Sequence, residues 1–353
     1  MPAPPVQYVK TSDGFDIAYA VCGEGIPVIR IPQAFSHFEL QWRRGILATD
    51  FQALAARFRL ILFDARGQGL STRGLPPTGS IADYERDIEA IVDRLHLKRF
   101  VLLGNSVMGK VAVNYAVKHP DQVAALILKG YRDPYREQPG LRAIAESNWP
   151  LYLETAARTG WVRYDPATVV AVNREASTQA DYVRQYALMA SESSADMLSR
   201  VRVPTLLIGT TEGTVPMLPE ADIRIAAATI PGARTVFFDD LHGGWSGNPP
   251  PAVRAIEEFL IEAGGTAVMD VAREQVDLST GESWESIRLT LRETEVLRLI
   301  AAGKSNQKIA DELVLSLRTV ERHITNLYGK IGAHGKADAT AYALRHGFDL
   351  PAV

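Results

Sequence analysis

Three side chains spread along the chain, Ser106, Glu212 and His242, are of the types needed to make a serine nucleophilic. A hydroxyl attacks a carbonyl carbon only when a neutral imidazole takes its proton, and a carboxylate must fix the tautomer of that imidazole and steady the imidazolium that forms. Ser106 lies in "FVLLGNSVMGKVAVNYAVKHP" (100–120), where an apolar run passes through a sharp turn into a helix-like stretch. Such a junction lifts the serine above the sheet edge and aims the Val107 amide at the spot where an oxyanion develops. A serine between a strand and a helix also serves as a plain helix cap, and His242 alone reads as a loop histidine. What favours the triad is the order nucleophile, acid, histidine, with Glu212 following "PTLLIG" and His242 following "RTVFF".

The elements that must position these residues are short continuous apolar runs with helix-like stretches between most of them. They are 26–31, 58–64, 100–104, 124–129, 204–209 and 234–238, after a hairpin pivoting on Asp13-Gly14. Apolar runs without polar alternation suit strands covered on both faces by helices, so the expected class is α/β with a doubly wound, mostly parallel sheet. Ser106, Glu212 and His242 would then share the carboxyl ends of the strands, where open α/β sheets place their sites. The strand rhythm stops between about 132 and 202, where helical stretches carry Trp149, Tyr152, Trp161, Tyr182, Tyr186 and Met189, the pattern of a lid. The same aromatics would also serve simply to pack these helices onto the body. The stretch 251–265 reads as a helix closed by Gly264-Gly265, residues 266–288 as a linker, and 289–353 as a second, helical unit. In that unit Thr290 and Glu293 have capping-box spacing.

Composition bounds the partners. The chain has 353 residues, 46% of them hydrophobic and 22% charged, with a formal net charge of −3. That suits a large core plus a smaller domain and announces no nucleic-acid or membrane partner for the chain as a whole. Cys22 is the only cysteine, which excludes an internal disulfide and a cysteine-rich zinc site; no metal and no cofactor are expected. No apolar run approaches the roughly 20 residues that span a bilayer, and "MPAPPVQYVK" lacks the pattern of a secretory signal. The expected address is the cytoplasm.

Residues 5 to about 263 resemble the α/β-hydrolase family, through the elbow "GNSVMG" and through "FDARGQGLS" (63–71), which is similar to that family's D-x-R-G-x-G-x-S segment. The resemblance implies an eight-stranded sheet, a lid inserted after the sixth strand, and the triad roles given above. Gln33, Ala34, Val107 and Met108 are then the candidate oxyanion and ligand contacts. Two positions depart from the family. Met108 stands where the elbow usually has Gly, with Gly109 one step later, and "IPQAF" (31–35) replaces the usual His-Gly after the third strand. Pro32 has no amide hydrogen, which leaves Gln33 or Ala34 as the second donor. A missing oxyanion donor costs about 3–4 kcal/mol of transition-state stabilisation, so the expected turnover is slow or vestigial.

From Leu289 onward, nine lysines and arginines face seven acidic residues, which makes this unit mildly basic. In "SNQKIADELVLSLRTVERHITNLYGKI" one helix meets a short turn at Leu315-Ser316 and a second helix begins. On the second, Val320, Ile324, Leu327 and Ile331 repeat at helical spacing and face inward, leaving Arg318, Arg322, Thr325 and Gly329 on the other side. Two arginines among small residues suit entry into a major groove, although a small bundle with a solvated cationic face would show the same pattern. The whole stretch from "LTLRETEVLRLIAAG" to "ALRHG" resembles the LuxR/NarL-type helix-turn-helix family, through Leu289-Thr290 with Arg292-Glu293, "GKSNQKIA", "SLRTVERHI" and "GKIGA". The resemblance implies a recognition helix at 317–331, a dimerising fourth helix at 337–347, and DNA contacts from Ser316, Arg318, Thr319, Glu321, Arg322, Thr325, Asn326 and Lys330. Glu321 replaces a frequent lysine; a carboxylate there repels phosphate but accepts from cytosine N4.

The expected function is a ligand-responsive regulator, a homodimer on double-stranded DNA, whose hydrolase-like domain binds a small hydrophobic ester, lactone or related carbonyl compound. The alternative is a working esterase or lactonase with a DNA-binding tail. A phosphorylated receiver domain, with its clustered acidic residues at an early strand end, has no counterpart in 1–130.

Overall fold

The computed structural model describes residues 3–133, 139–161, 163–211, 220–239, 244–245, 250–274, 291–313, 315–331, 333 and 335–345. The chain divides into two compact units, residues 1–279 and 280–353.

In the first unit the strands are β1 (Gln7–Lys10), β2 (Asp16–Cys22), β3 (Pro27–Arg30), β4 (Arg59–Phe63), β5 (Phe100–Asn105), β6 (Val123–Lys129), β7 (Thr205–Thr210) and β8 (Arg234–Phe238). They form one eight-stranded sheet in the order β1-β2-β4-β3-β5-β6-β7-β8. Only the β1–β2 and β2–β4 pairings are antiparallel. The flanking helices are α1 (Phe38–Arg43), α2 (Ala48–Ala55), α3 (Ile81–Arg94), α4 (Gly109–Lys118), α10 (Glu220–Thr229) and α11 (Pro251–Glu274). Between β6 and β7 stand α5 (Pro139–Ser147), α6 (Trp149–Gly160), α7 (Pro166–Ala176), α8 (Gln179–Ser191) and α9 (Ala195–Leu198).

Period-2 side-chain alternation gives the central strands β3, β4, β5, β6 and β7 two buried faces, while the edge strands β1 and β8 are largely exposed or half-buried. Ile29, Ile61, Leu102 and Leu126 pack toward α3 and α4 with Ile88, Ile91, Val111 and Tyr115. Val28, Leu60, Val101 and Ile127 pack on the opposite side with Phe51, Leu54, Val253 and Phe259 from α2 and α11. This is the doubly wound arrangement that unbroken apolar runs demand, and each such aliphatic side chain contributes about 1.5–3 kcal/mol when fully buried.

The sequence reading differs from the structure at one helix end. Gly264-Gly265 does not close α11, which continues to Glu274. A glycine costs only about 1 kcal/mol in a helix interior, and the adjoining "TAVMDVARE" is rich in residues that hold helical geometry.

The second unit consists of α12 (Leu291–Ala301), α13 (Asn306–Leu313), α14 (Leu317–Ile331) and α15 (Lys336–Arg345). Gly303, with φ 74°, ends α12: its amide donates to Ile300 O and that of Lys304 to Leu299 O, the Schellman pattern that satisfies the last carbonyls. Val296, Leu297, Ile309, Val320, Leu327 and Ala339 are among the residues of its core.

Candidate functional site

The turn that carries Ser106 is built by close approach. Asn105 closes β5 and its Nδ2 donates to Ile31 O at 2.9 Å, tying the ends of β5 and β3 together. Ser106 follows with φ 50°, a left-handed conformation that non-glycine residues rarely adopt and that costs about 1–3 kcal/mol. A 3-10 turn, Ser106–Met108, leads into α4. A β-carbon on Gly104 would stand 2.9 Å from Gly109 Cα, and one on Gly109 would stand 2.8 Å from the Tyr131 ring. The crowding expected at the fifth elbow position therefore falls on Gly109. Met108 is accommodated because its side chain turns away, buried, with Gln185 Nε2 3.9 Å from its sulfur.

Ser106 opens onto a cavity of about 220 Å³. Of the four residues named as oxyanion or ligand contacts, Gln33, Ala34 and Val107 line it and Met108 does not. Glu212 and His242 lie outside the described residues. The strand registers pair Asn105 with Lys129 and Lys129 with Ile208, so the ends of β5, β6 and β7 form the cavity floor beside Ser106. The aromatics of the helices between β6 and β7 fall in two places. Tyr152, Trp161 and Tyr186 line the cavity, while Tyr182 is buried and stacks on Phe35 at 4.5 Å. Phe35 itself has φ 61° and turns the chain just after the oxyanion candidates. The Tyr152 and Tyr182 hydroxyls bond each other, and burial among these phenols raises Tyr182 well above its ordinary value.

The "FDARGQGLS" segment, quoted above for its resemblance alone, and a lysine that the sequence did not single out hold this frame. Asp64, fully buried, accepts from Ser36 Oγ at 2.7 Å, Phe38 N at 2.9 Å and Leu70 N at 3.0 Å, and so shapes the loop after β3. Gly69 is forced there, since a β-carbon would fall 2.1 Å from Asp64 Oδ2. Gln68 accepts from Ser36 N and donates to Gln185 Oε1 of α8, connecting that loop to the lid. Lys110, buried in the first turn of α4, donates to Met189 O and Glu192 O and pairs with Asp133 at 3.1 Å, fastening the lid's end beside the elbow. A single lysine in the otherwise apolar "GKVAV" was the available signal for it.

In the second unit, Ser316 caps α14, its Oγ accepting from Thr319 N at 3.2 Å and meeting Thr319 Oγ1 at 2.7 Å. Val320, Ile324 and Leu327 are buried, as their spacing predicts. Arg318, Glu321, Arg322, Thr325 and Asn326 are exposed on the outer side, and neither arginine makes an ion pair or side-chain hydrogen bond with another described residue. Lys330 differs: its Nζ is 2.7 Å from the buried Glu293 carboxylate of α12, which fastens α14 to that helix. Thr290, the other half of the expected capping box, lies outside the described residues.

Two family models match the chain. Residues 27–159 match the alpha/beta hydrolase fold, and residues 288–343 match the luxR family of bacterial regulatory proteins. The chain is 28% identical over 181 residues to a putative carbamate hydrolase RutD from Rhizobium rhizogenes, covering 46% of this chain and 68% of that protein. It is 45% identical over 58 residues to the transcriptional regulatory protein LiaR of Bacillus subtilis, covering 16% of this chain and only 28% of the regulator. Among solved structures, the esterase EaEST from Exiguobacterium antarcticum superposes with a TM-score of 0.61 at 20% identity, over 72% of this chain and 98% of the esterase, a likeness that speaks for the fold alone. Among the described residues no helix is long and apolar enough to cross a membrane.

Proposed function

We propose that this chain, an α/β-hydrolase domain joined to a LuxR-type helix-turn-helix domain, is a cytoplasmic transcriptional regulator controlled by a small carbonyl compound bound above Ser106. The observation that carries the reading is the pairing within one polypeptide of a cavity beside a strained serine with a helix whose arginines remain exposed. Arg318 and Arg322 meet phosphates and base edges, and Ser316, Thr319, Thr325 and Asn326 supply small polar contacts in the groove. Two copies read two half-sites about 34 Å apart, because one unit makes too few contacts for specific affinity. Ligand shifts an existing equilibrium between arrangements that match and mismatch that spacing.

A second reading, an active serine esterase or lactonase with a DNA-binding tail, is favoured by the left-handed Ser106. In it, Ser106 Oγ attacks the ester carbonyl, His242 takes its proton and returns it to the leaving alcohol, Glu212 orients the imidazole, and water then releases the acid. Gln33 or Ala34 would join Val107 in stabilising the oxyanion.

The regulator reading is tested by gel shift of the full-length protein on the DNA upstream of its own operon, at moderate salt. Specific retardation that is lost in Arg322→Ala supports it; binding no better than to a random duplex refutes it. Hydrolysis of p-nitrophenyl esters that disappears in Ser106→Ala marks the second reading, and equal rates in both proteins remove the nucleophile.

A further inference from the structure

The walls of the cavity carry charge as well as rings. Lys129, Arg132 and Arg163 line it, and no aspartate or glutamate does among the described residues. Arg163 is the informative one, because its surroundings can be accounted for. One of its N–H groups donates to Asp50 Oδ2 at 2.7 Å, and its guanidinium lies over the Tyr164 ring at 4.7 Å. Both partners are withdrawn from water, with side-chain exposures of 13% for Arg163 and 4% for Asp50.

Asp50 serves a second cation. Arg30, on β3, is buried against the Phe51 ring at 5.0 Å, and its field is felt mainly from Asp50. Burial pushes its guanidinium down to about 10. For Arg163, burial also works to lower the value, yet Asp50 and Tyr164 outweigh it and hold the group above its ordinary range. Asp50 is thus the carboxylate nearest two buried guanidiniums, of which Arg163 lines the cavity and forms the ion pair. A guanidinium has five donors in a planar fork; Asp50 takes one of Arg163's and the Tyr164 hydroxyl engages another, which leaves donors over. Leaving such a group in a poorly solvated wall is costly unless an anion completes it. Thr210, at the end of β7, adds a second unfilled polar group: it lines the cavity and its buried Oγ1 has no hydrogen-bond partner among the described residues.

We propose that the cavity's ligand is a carboxylate attached to an aromatic or similarly planar body, whose carboxylate docks on Arg163 while the body lies among Phe35, Tyr152 and Tyr186. This deepens the reading of the cavity given above and rests on it. The planar fork of Arg163 matches a carboxylate in two-point contact where a lysine would offer only a point charge.

The test is calorimetric titration of the full-length protein, without DNA, with benzoate, phenylacetate, 3-phenylpropanoate and 4-phenylbutanoate, each beside its primary amide. At least one carboxylate should bind about tenfold or more tighter than its amide. That preference should shrink to about twofold or less in Arg163→Gln and return in part in Arg163→Lys. Arg163→Gln leaves Asp50 beside Arg30, a balanced pair, so the variant should fold; the wild-type comparison of acid with amide stands regardless. A merely structural tie between lid and α2 would not discriminate acid from amide. The proposal is overturned if no carboxylate of the series binds, if amides bind as tightly, or if the preference survives Arg163→Gln. Binding of amides without preference would overturn it and leave the ligand pocket standing, and a failure of DNA binding would leave this titration unaffected.

Discussion

In the α/β unit Asp64, Arg66 and Lys110 are buried and each is surrounded by partners, whereas on α14 of the helical unit Arg318 and Arg322 are exposed and make no ion pair with a described residue. Arg66 donates to Asp87 at 2.9 Å and to Asp13 at 2.7 Å. Burial drives Asp87 up to about 6 against the pull of Arg66. Withdrawing an ion from water costs several kcal/mol, so fully partnered buried charges mark places where backbone must be held against its own preferences. Here they surround the loop after β3, the elbow and the lid's end. The helical unit is small, with a core of aliphatic side chains, and leaves Arg318 and Arg322 of α14 hydrated, ready to exchange counterions for phosphate.

The contrast breaks most visibly at Asp64. Asp64→Ala strands the Ser36 hydroxyl and the Phe38 and Leu70 amides, and should cost about 3 kcal/mol or more in denaturant unfolding of the α/β unit. A loss near zero would mean that these bonds are replaceable by water and that the buried charge does not shape the loop. On the helical unit the effect moves from stability to affinity. Arg322→Ala should lower specific DNA affinity by about 1–3 kcal/mol, while its unfolding free energy stays within about 0.5 kcal/mol of wild type. Lys330 sharpens the comparison as the intermediate case, an exposed cation tied to the buried Glu293. Lys330→Met should destabilise the helical unit by about 1 kcal/mol and flatten the salt dependence of DNA binding less than Arg318→Ala does.

The same difference decides what could be read from sequence. Strands were legible to within a residue or two because their signal is local: "FRLILFD" becomes Arg59–Phe63 and "RTVFF" becomes Arg234–Phe238. The buried face of α14 followed from spacing alone. Long-range pairings were not legible. Nothing near Lys110 in the chain announces Asp133, and Arg163 in "TGWVRYDP" carries no sign of Asp50, more than a hundred residues earlier. Met108 looked disruptive because the family pattern counts positions, whereas the contact that matters is made by Gly109 one residue on. Gly264-Gly265 looked like a stop because a glycine pair is a local signal, and the helix-forming residues up to Glu274 override it.

The central claim is that occupancy of the cavity governs how the helical unit meets DNA. An alkyl fluorophosphonate, which phosphonylates an activated serine, fills the cavity from Ser106 without knowledge of the natural ligand. Affinity of the full-length protein for its operator should be measured by fluorescence anisotropy before and after stoichiometric labelling, with Ser106→Ala as the unlabelled control. The account predicts a change of about tenfold or more in the labelled protein alone; identical affinities after complete labelling would contradict it.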